Sequence, residues 1–256
     1  MTSKATLFDF DFISTNSLEE AGNIVCEFTA NEAGCHTLIT PNAFTLVQYN
    51  RPENKWLKDF YSKAAFIFPD GMPVVWLSRL LKKGKLKKRI PGSDLFPEIW
   101  KHIKATKAPV VMILPNKELA AKFVDDYPLA DCLVPGYFDA GDDEYINKFS
   151  TQIADAVIQN GARFVFLGLT FPKQEILGIR VSGILADRKY QQGVLILLLG
   201  ASYEFYFGMK KRAPGFIQQS GFEWLYRFLR EPGRLWKRYT IDNIRFLILA
   251  LKEMSR

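Results

Sequence analysis

The sequence predicts an α/β fold in which a mainly parallel, Rossmann-like sheet carries helices on both faces and a basic helical segment follows at the C-terminus. Three observations support this prediction. Short apolar runs alternate with helix-length segments through residues 1–208, a pattern typical of βαβ units. Most of these runs are continuously apolar, as expected for strands covered on both faces. The chain has 256 residues and is 48% hydrophobic, which is enough for a sizeable core.

The predicted elements follow one another in chain order. The strands are Thr6 to Phe12, His36 to Thr40, Ala64 to Phe68, Val110 to Leu114, Cys132 to Pro135, Phe164 to Leu167 and Val194 to Leu199. The helices between them are Leu18 to Thr29, Ala43 to Arg51, Met72 to Leu81, Asp94 to Ala105, Lys117 to Tyr127, Glu144 to Gln159 and Lys173 to Ile179. Ser17 and Glu20 have the spacing of a capping box, and Ser93 and Asn116 are further candidates for helix caps.

The C-terminal fifth of the chain differs from the rest in charge, so we predict a main domain at 1–208 and a basic amphipathic appendage at 209–256. From Phe205 to Arg256 there are eleven Lys and Arg residues against four Asp and Glu residues, so this segment holds the whole net charge of +7. Such a concentration of positive charge indicates a polyanionic partner, namely anionic lipid, pyrophosphate or nucleic acid.

Two predicted helices make up the appendage, from about Phe216 to Leu229 and from about Arg234 to Lys252. Apolar residues in the second helix recur at three- to four-residue spacing between basic ones, which suits a helix lying in a membrane interface. The same pattern suits a helix packed on its own domain.

No apolar run approaches the ~20 residues that span a bilayer, and we recognise no secretory signal. We therefore expect a cytoplasmic protein, with a homo-oligomer possible.

Composition argues against several chemistries. The three cysteines are scattered and the two histidines, His36 and His102, lie outside any motif, so a disulfide framework, a zinc site or a Ser-His-Asp triad is not expected. The sequence has no Gly-x-Gly-x-x-Gly and no Walker loop. Asp9 and Asp11 lie within a strand pattern without further ligands, which makes a poor metal site. We expect neither a metal nor another cofactor.

Polar clusters follow four of the predicted strands, where ligands of open α/β sheets bind. Asp70 lies between a strand and a helix that starts near Gly71, a position that suits acid/base chemistry and also suits a helix cap. The other clusters are Thr40-Pro41-Asn42, Arg89 with Gly92-Ser93, and Lys173-Gln174. An Arg beside a helix start favours diphosphate, whereas Asn42 also suits a cap of the next helix.

Taken in order, these clusters belong to a longer series of short strings. The series comprises Thr40-Pro41-Asn42, Pro69-Asp70-Gly71-Met72 with Val75-Trp76, Arg89 with Gly92-Ser93-Asp94-Leu95, Gly136-Tyr137-Phe138, Pro172-Lys173-Gln174-Glu175, Phe205-Tyr206 with Gly208, Lys211-Arg212-Ala213-Pro214, and Glu223-Trp224-Leu225-Tyr226-Arg227 with Glu231-Pro232, Arg234 and Arg238-Tyr239. The ordered set resembles the WecG/TagA/CpsF glycosyltransferase family across residues 40–239.

The resemblance implies an inverting, metal-independent transfer of a sugar from a UDP-sugar to a polyprenyl-diphosphate-linked saccharide in cell-surface or exopolysaccharide biosynthesis. It also implies peripheral attachment to the anionic inner face of the cell membrane. The family's proposed general base corresponds to Asp70. Its substrate-binding residues correspond to Thr40, Asn42, Arg89 and Gln174, and the diphosphate-binding arginines of the appendage correspond to Arg227, Arg234 and Arg238.

The chain departs from the family pattern at two strand ends. Leu114-Pro115-Asn116 stands where glycines are frequent, and Glu204 stands where many members carry Asp, one methylene shorter. We expect Glu204 to line the donor pocket. Two other function classes remain open from the sequence. One is a non-catalytic module that binds a membrane or nucleic acid, although we favour a protein without a nucleic-acid partner. The other is a soluble enzyme that modifies nucleotide sugars.

Overall fold

The computed structural model describes residues 3–81, 84–210, 213–214, 217, 223–230 and 232–255, without the side chains of 28–31, 223–224, 227, 234–235 and 237–239. The strands are β1 (Ser3–Leu7), β2 (Phe10–Ser14), β3 (Cys35–Ile39), β4 (Phe66–Ile67), β5 (Val110–Ile113), β6 (Ala130–Leu133), β7 (Phe164–Leu167) and β8 (Val194–Leu198). The helices are α1 (Leu18–Asn31), α2 (Ala43–Tyr49), α3 (Lys55–Tyr61), α4 (Met72–Leu80), α5 (Gly92–Thr106), α6 (Lys117–Asp126), α7 (Asp143–Asn160), α8 (Lys173–Asp187), α9 (Ser202–Tyr206), α10 (Glu223–Arg230) and α11 (Pro232–Met254).

Six of these strands form a parallel sheet in the order β4-β3-β8-β7-β5-β6. Helices cover both faces, so the predicted fold class is confirmed. The register brings the carboxyl ends of the strands level, because paired residues form one row across the sheet: Ile67, Ile39, Leu198, Leu167, Ile113 and Leu133. Everything that follows these residues therefore emerges along a single edge.

The two faces of the sheet bury separate apolar clusters. Val111 and Ile113 of β5 face one cluster, whereas Val110 and Met112 face the other. This alternation is the period of a strand, and because both sides are covered the strand is continuously apolar. On the second face, the ring of Phe96 on α5 packs edge-on against Phe166 of β7, which anchors α5 on the sheet.

The prediction of a single strand from Thr6 to Phe12 is wrong. The segment is a hairpin in which β1 pairs antiparallel with β2, and the chain reverses at Phe8 and Asp9. Both turn residues have positive φ, 55° and 69°, as a two-residue hairpin turn of type I′ requires. The aromatic alternation continued through the turn, so the sequence pattern did not reveal the reversal.

Two helical predictions also need correction. α8 extends to Asp187 rather than ending at Ile179, and α3 was not predicted. Gly178 and Gly183 weaken helix propensity within α8. A Cβ on Gly178 would lie 2.7 Å from the Tyr61 hydroxyl oxygen, so the helix needs glycine there to approach α3. Tertiary packing thus decided both elements.

The last helix, α11, packs along the main domain against α2. Its inward face buries Phe246, whose ring contacts Phe8 at 6.0 Å between centroids. Asp242 accepts a hydrogen bond from Arg51 at 3.4 Å. The outward face exposes Ile244, Leu247, Ile248 and Leu251, each by half or more.

Within the described ranges, no helix combines the length and apolarity that crossing a bilayer requires. The division into 1–208 and 209–256 stays a prediction.

Candidate active site

The polar residues predicted at strand ends emerge along the carboxyl edge of the sheet. Thr40 and Asn42 follow β3, Asp70 follows β4, and Gln174 follows β7. All four side chains are partly exposed. This edge is where open parallel sheets bind ligands, so the fold brings residues far apart in sequence to one surface.

The loop that carries Asp70 is tied to the loop that carries Asn42. The backbone N–H of Asp70 donates to the carbonyl oxygen of Pro41 at 3.2 Å, one step beyond the bond from Phe68 N–H to Ile39 O at 3.0 Å. The N-cap of α4 is Gly71, with φ of 114°, and not Asp70. Asp70 therefore precedes the N-cap position, and its alternative role as a cap of α4 stays a prediction.

Asn42 caps α2, as the second interpretation of that residue predicted. Its Oδ1 accepts hydrogen bonds from the backbone N–H of Thr45 at 3.1 Å and from the Thr45 hydroxyl at 3.3 Å. The cap fixes the orientation of the amide, with Nδ2 as the donor that a ligand would meet. Capping and ligand binding are thus compatible at this position.

The N-terminus of α5 lies against the ends of β3 and β8. A Cβ added to Gly92 would lie 3.0 Å from both the Thr40 Oγ1 and the Ser202 Oγ. Pro91 at the N-cap has no side-chain cap, and its carbonyl accepts from the N–H groups of Asp94 and Leu95. The N–H groups of Gly92 and Ser93 are then the first-turn donors of the helix, an arrangement that favours phosphate.

Arg89 reaches the same region because its neighbour Ile90 donates a backbone hydrogen bond to Pro69 O at 2.7 Å. The chain segment of Arg89 therefore runs beside the segment of Asp70. Ser202 is a further residue of this region that our sequence reasoning missed as a candidate. The sequence feature that could have pointed to Ser202 is the string Gly200-Ala201-Ser202, which follows an apolar strand.

Gln174 bridges the ends of β7 and β8. Its Oε1 accepts from the backbone N–H of Gly200 at 3.1 Å, and its Nε2 donates to Glu175 Oε1 at 3.0 Å. Glu175 is only 1% exposed. Burial raises the pKa of its carboxyl to about 7, although the hydrogen bonds from Gln174 and Tyr49 favour the charged form. The sequence pattern offered no signal for this buried acid beyond its place in the string.

Comparison with known proteins identifies the family. The model of the glycosyl transferase WecG/TagA/CpsF family matches residues 5–256. The chain belongs to this family. The protein is therefore a glycosyltransferase, and the resemblance inferred from the ordered strings is confirmed. Membership sets aside the two alternatives, the non-catalytic polyanion-binding module and the soluble enzyme that modifies nucleotide sugars.

Curated relatives of this WecG/TagA/CpsF protein carry a specific name. Proteins of Staphylococcus aureus strains MW2 and NCTC 8325 are each 28% identical over 257 residues, covering 98% of this chain and 94% of their own. Each is named an N-acetylglucosaminyldiphosphoundecaprenol N-acetyl-beta-D-mannosaminyltransferase. The similarity extends over the segments of this chain that form both the sheet and the C-terminal helices.

Glu204 lies on the short α9, beyond the end of β8. Its Oε2 forms an ion pair with Lys210 Nζ, and the side chain is only 18% exposed. Ser202, at the start of the same helix, is among the nearest neighbours of a Cβ built on Gly92, together with Thr40. Glu204 as a donor-pocket residue of this family member stays a prediction, with Lys210 now its partner.

The three appendage arginines are distributed over two helices. Arg227 lies on α10, and Arg234 and Arg238 lie on α11. Their side chains are outside the described part of the structure, so their roles in binding the donor diphosphate stay predictions. Across the residues that are described, no three His, Cys, Asp or Glu side chains lie close enough together to hold a metal ion.

Proposed function

We propose that this glycosyltransferase transfers N-acetylmannosamine from a UDP-sugar to an N-acetylglucosaminyl-diphosphate-polyprenol in the synthesis of a cell-surface polymer. The names of the staphylococcal relatives support the sugar and the acceptor. The observation that carries the proposal is the connection between Asp70 and Pro41 at the carboxyl edge. It joins a carboxylate to the Thr40–Asn42 loop. The Thr40 Oγ1 lies beside Gly92, the first residue of α5.

Asp70 serves as the general base. As the acceptor hydroxyl oxygen attacks the anomeric carbon, a new carbon–oxygen bond forms, the bond from that carbon to the UDP oxygen breaks, and the hydroxyl proton passes to Asp70. Attack opposite to the leaving group inverts the configuration at the anomeric carbon. A positioned base of this kind contributes about 10²–10⁴-fold to the rate.

The departing UDP gains negative charge, which fixed positive groups stabilise most effectively in a site arranged before the reaction. Arg89 and the first-turn N–H groups of α5 supply such charge on the main domain. Arg227, Arg234 and Arg238 supply it from the appendage in this proposal. The reaction then proceeds without a metal, because guanidinium forks and helix N-termini take over the charge compensation.

A peripheral position on the cytoplasmic membrane face suits a lipid-linked acceptor. Support comes from the outward face of α11, where four aliphatic residues are exposed on a basic segment. Trp76 and Leu80 add an exposed apolar pair on α4, the helix that follows Asp70. Apolar residues beside basic ones favour an interface with anionic lipid.

The test is a transfer assay with UDP-N-acetylmannosamine and N-acetylglucosaminyl-diphosphate-polyprenol, with UDP-N-acetylglucosamine as the competing donor and with EDTA present. Asp70→Asn should lose at least about 10²-fold in turnover at an unchanged melting temperature. Asp187→Asn is the matched control, because Asp187 is an exposed acid at the far end of α8. Turnover of Asp70→Asn within a few-fold of wild type would exclude the base, and no transfer by the wild type would exclude the reaction.

A further inference from the structure

Glu175 is a buried acid next to a site residue, and the proposed reaction gives it no part. The residue is 1% exposed, and one carboxylate oxygen, Oε1, accepts a hydrogen bond from Gln174 Nε2 at 3.0 Å. The other oxygen, Oε2, is buried and has no hydrogen-bond partner within the described part of the chain. Burying a carboxyl in this way costs free energy. Stability alone therefore favours an apolar residue here, and the presence of the acid needs another reason.

The reason lies in the amide of Gln174, which has two orientations related by a half-turn. In the observed one, Oε1 accepts from Gly200 N–H and Nε2 donates to Glu175. In the reverse one, two donors would face each other at Gly200 and two acceptors would face each other at an ionised Glu175. Both contacts together select a single orientation, and they leave Nε2 with one more N–H to offer a substrate.

Glu175 is itself held firmly from two other helices. The Tyr61 hydroxyl on α3 donates to the Glu175 backbone carbonyl at 2.8 Å, and the Tyr49 hydroxyl on α2 lies 3.5 Å from Oε1. The rings of Tyr49 and Tyr61 stack at 5.8 Å. Asn42 caps the same α2. Glu175 therefore links Gln174 to the helix that Asn42 caps.

We propose that Glu175 is a positioning residue for sugar transfer, which holds the Gln174 amide so that its second Nε2 hydrogen faces the bound donor. The inference rests on the proposed function, since it takes Gln174 to contact the donor during transfer. Glu175 touches no substrate itself. It acts through Gln174, and removing it matters only while Gln174 is present.

A double-mutant cycle tests this dependence. Glu175→Met, an unbranched apolar replacement, should lower kcat/KM for the donor about tenfold or more and leave the acceptor KM unchanged. In a Gln174→Ala background the same change should lower it less than about twofold. Glu175→Gln keeps an acceptor oxygen for Nε2 and should restore activity to within about threefold of wild type. Melting temperatures of all variants report folding separately.

Equal losses from Glu175→Met in both backgrounds would overturn the proposal, because a purely structural role is additive. Wild-type activity in Glu175→Met would overturn it as well. If Glu175→Met does not fold, Glu175→Gln tests the proposal instead. A tenfold loss of kcat/KM in Glu175→Gln at a wild-type melting temperature would contradict the proposal, because an acceptor oxygen alone would then not position Gln174.

A second readout separates this inference from the proposed function. The side-chain ¹⁵N–H signals of Gln174 in the full chain should shift as Glu175 titrates, and Glu175→Gln should abolish the shift. The other titratable groups that face Glu175 are Tyr49 and Tyr61, with Cys35 beyond Tyr61. Burial raises the pKa of all three. If the wild type transfers no sugar but shows the pH-dependent shift of Gln174, the proposed function alone is refuted. If the shift is absent, the positioning contact between Glu175 and Gln174 is refuted.

Discussion

The backbone N–H of Asp70 donates to the carbonyl oxygen of Pro41 at 3.2 Å, which extends the pairing of β3 and β4 past the end of both strands. The bond fixes the distance between the carboxylate loop and the Thr40–Asn42 loop. The proposed base must keep its geometry relative to the groups proposed to bind the substrate. The hydrogen bond provides this constraint through backbone atoms alone, so it does not depend on the side chains of the candidate site.

Gly71 should not tolerate a side chain, because its φ of 114° lies in a region that L-residues rarely adopt. We expect Gly71→Ala to lower the free energy of unfolding by about 1–3 kcal/mol and to reduce turnover by displacing Asp70. Gly183→Ala is the control, since Gly183 lies in α8 and a Cβ added there would meet nothing within 4 Å. That change should leave activity intact and stabilise the helix. Urea unfolding and transfer assays measure both, and equal behaviour of the two variants would contradict the prediction.

The buried carboxyl of Glu175 should make stability depend on pH. Its pKa rises from 4.5 to about 7 on folding, so between these values the folded state binds the proton more tightly than the unfolded state. The free energy of unfolding therefore falls as pH rises from about 4.5 to 7, by on the order of 3 kcal/mol. Glu175→Gln should remove this component.

Denaturant unfolding of wild type and Glu175→Gln from pH 4.5 to 8 measures the difference between the two proteins directly. Because other groups titrate equally in both, their contributions cancel in that difference. The variant should gain stability relative to wild type through this range. Parallel curves would show that the carboxyl of Glu175 titrates at an ordinary pKa.

Substitutions at two adjacent residues of α11 should differ in their effect on stability. Phe246 is 6% exposed against Phe8, whereas Leu247 is 61% exposed. Phe246→Ala should lower the free energy of unfolding by about 3–5 kcal/mol, while Leu247→Ser should change it by less than about 0.5 kcal/mol. In flotation with anionic vesicles, Leu247→Ser together with Ile248→Ser should weaken binding. Vesicle binding equal to wild type would contradict a membrane role for this face.

Much of the fold could be predicted because the parallel strands are buried on both faces. Phe164 to Leu167 was predicted as a strand with the bounds that the structure has, since a short apolar run between turn signals has few other interpretations. The hairpin at Phe8 and Asp9 could not be predicted, because aromatic residues continue through a turn that lacks the usual Asn-Gly or Gly-Gly.

The candidate site was predicted only in part. Thr40, Asn42, Asp70, Arg89 and Gln174 all lie at the carboxyl edge. Glu175 and Ser202 were not singled out as candidates, since the relevance of a buried acid and of a strand-end serine depends on their proximity to Gln174 and Gly92. The sequence does not display those contacts, because their partners lie far along the chain or depend on a side-chain orientation.

The sequence by itself determined the alternation of strands and helices, the family, and the polar residues that follow each strand. Periodicity and local turn chemistry depend on a few neighbouring residues, so they can be recognised in the sequence. Only the tertiary structure decided that the six strand ends form one row, that Asp70 is tied to Pro41, and that Gln174 rests on a buried Glu175. These relationships depend on strand order and on which groups lose contact with water, and long-range packing alone sets both.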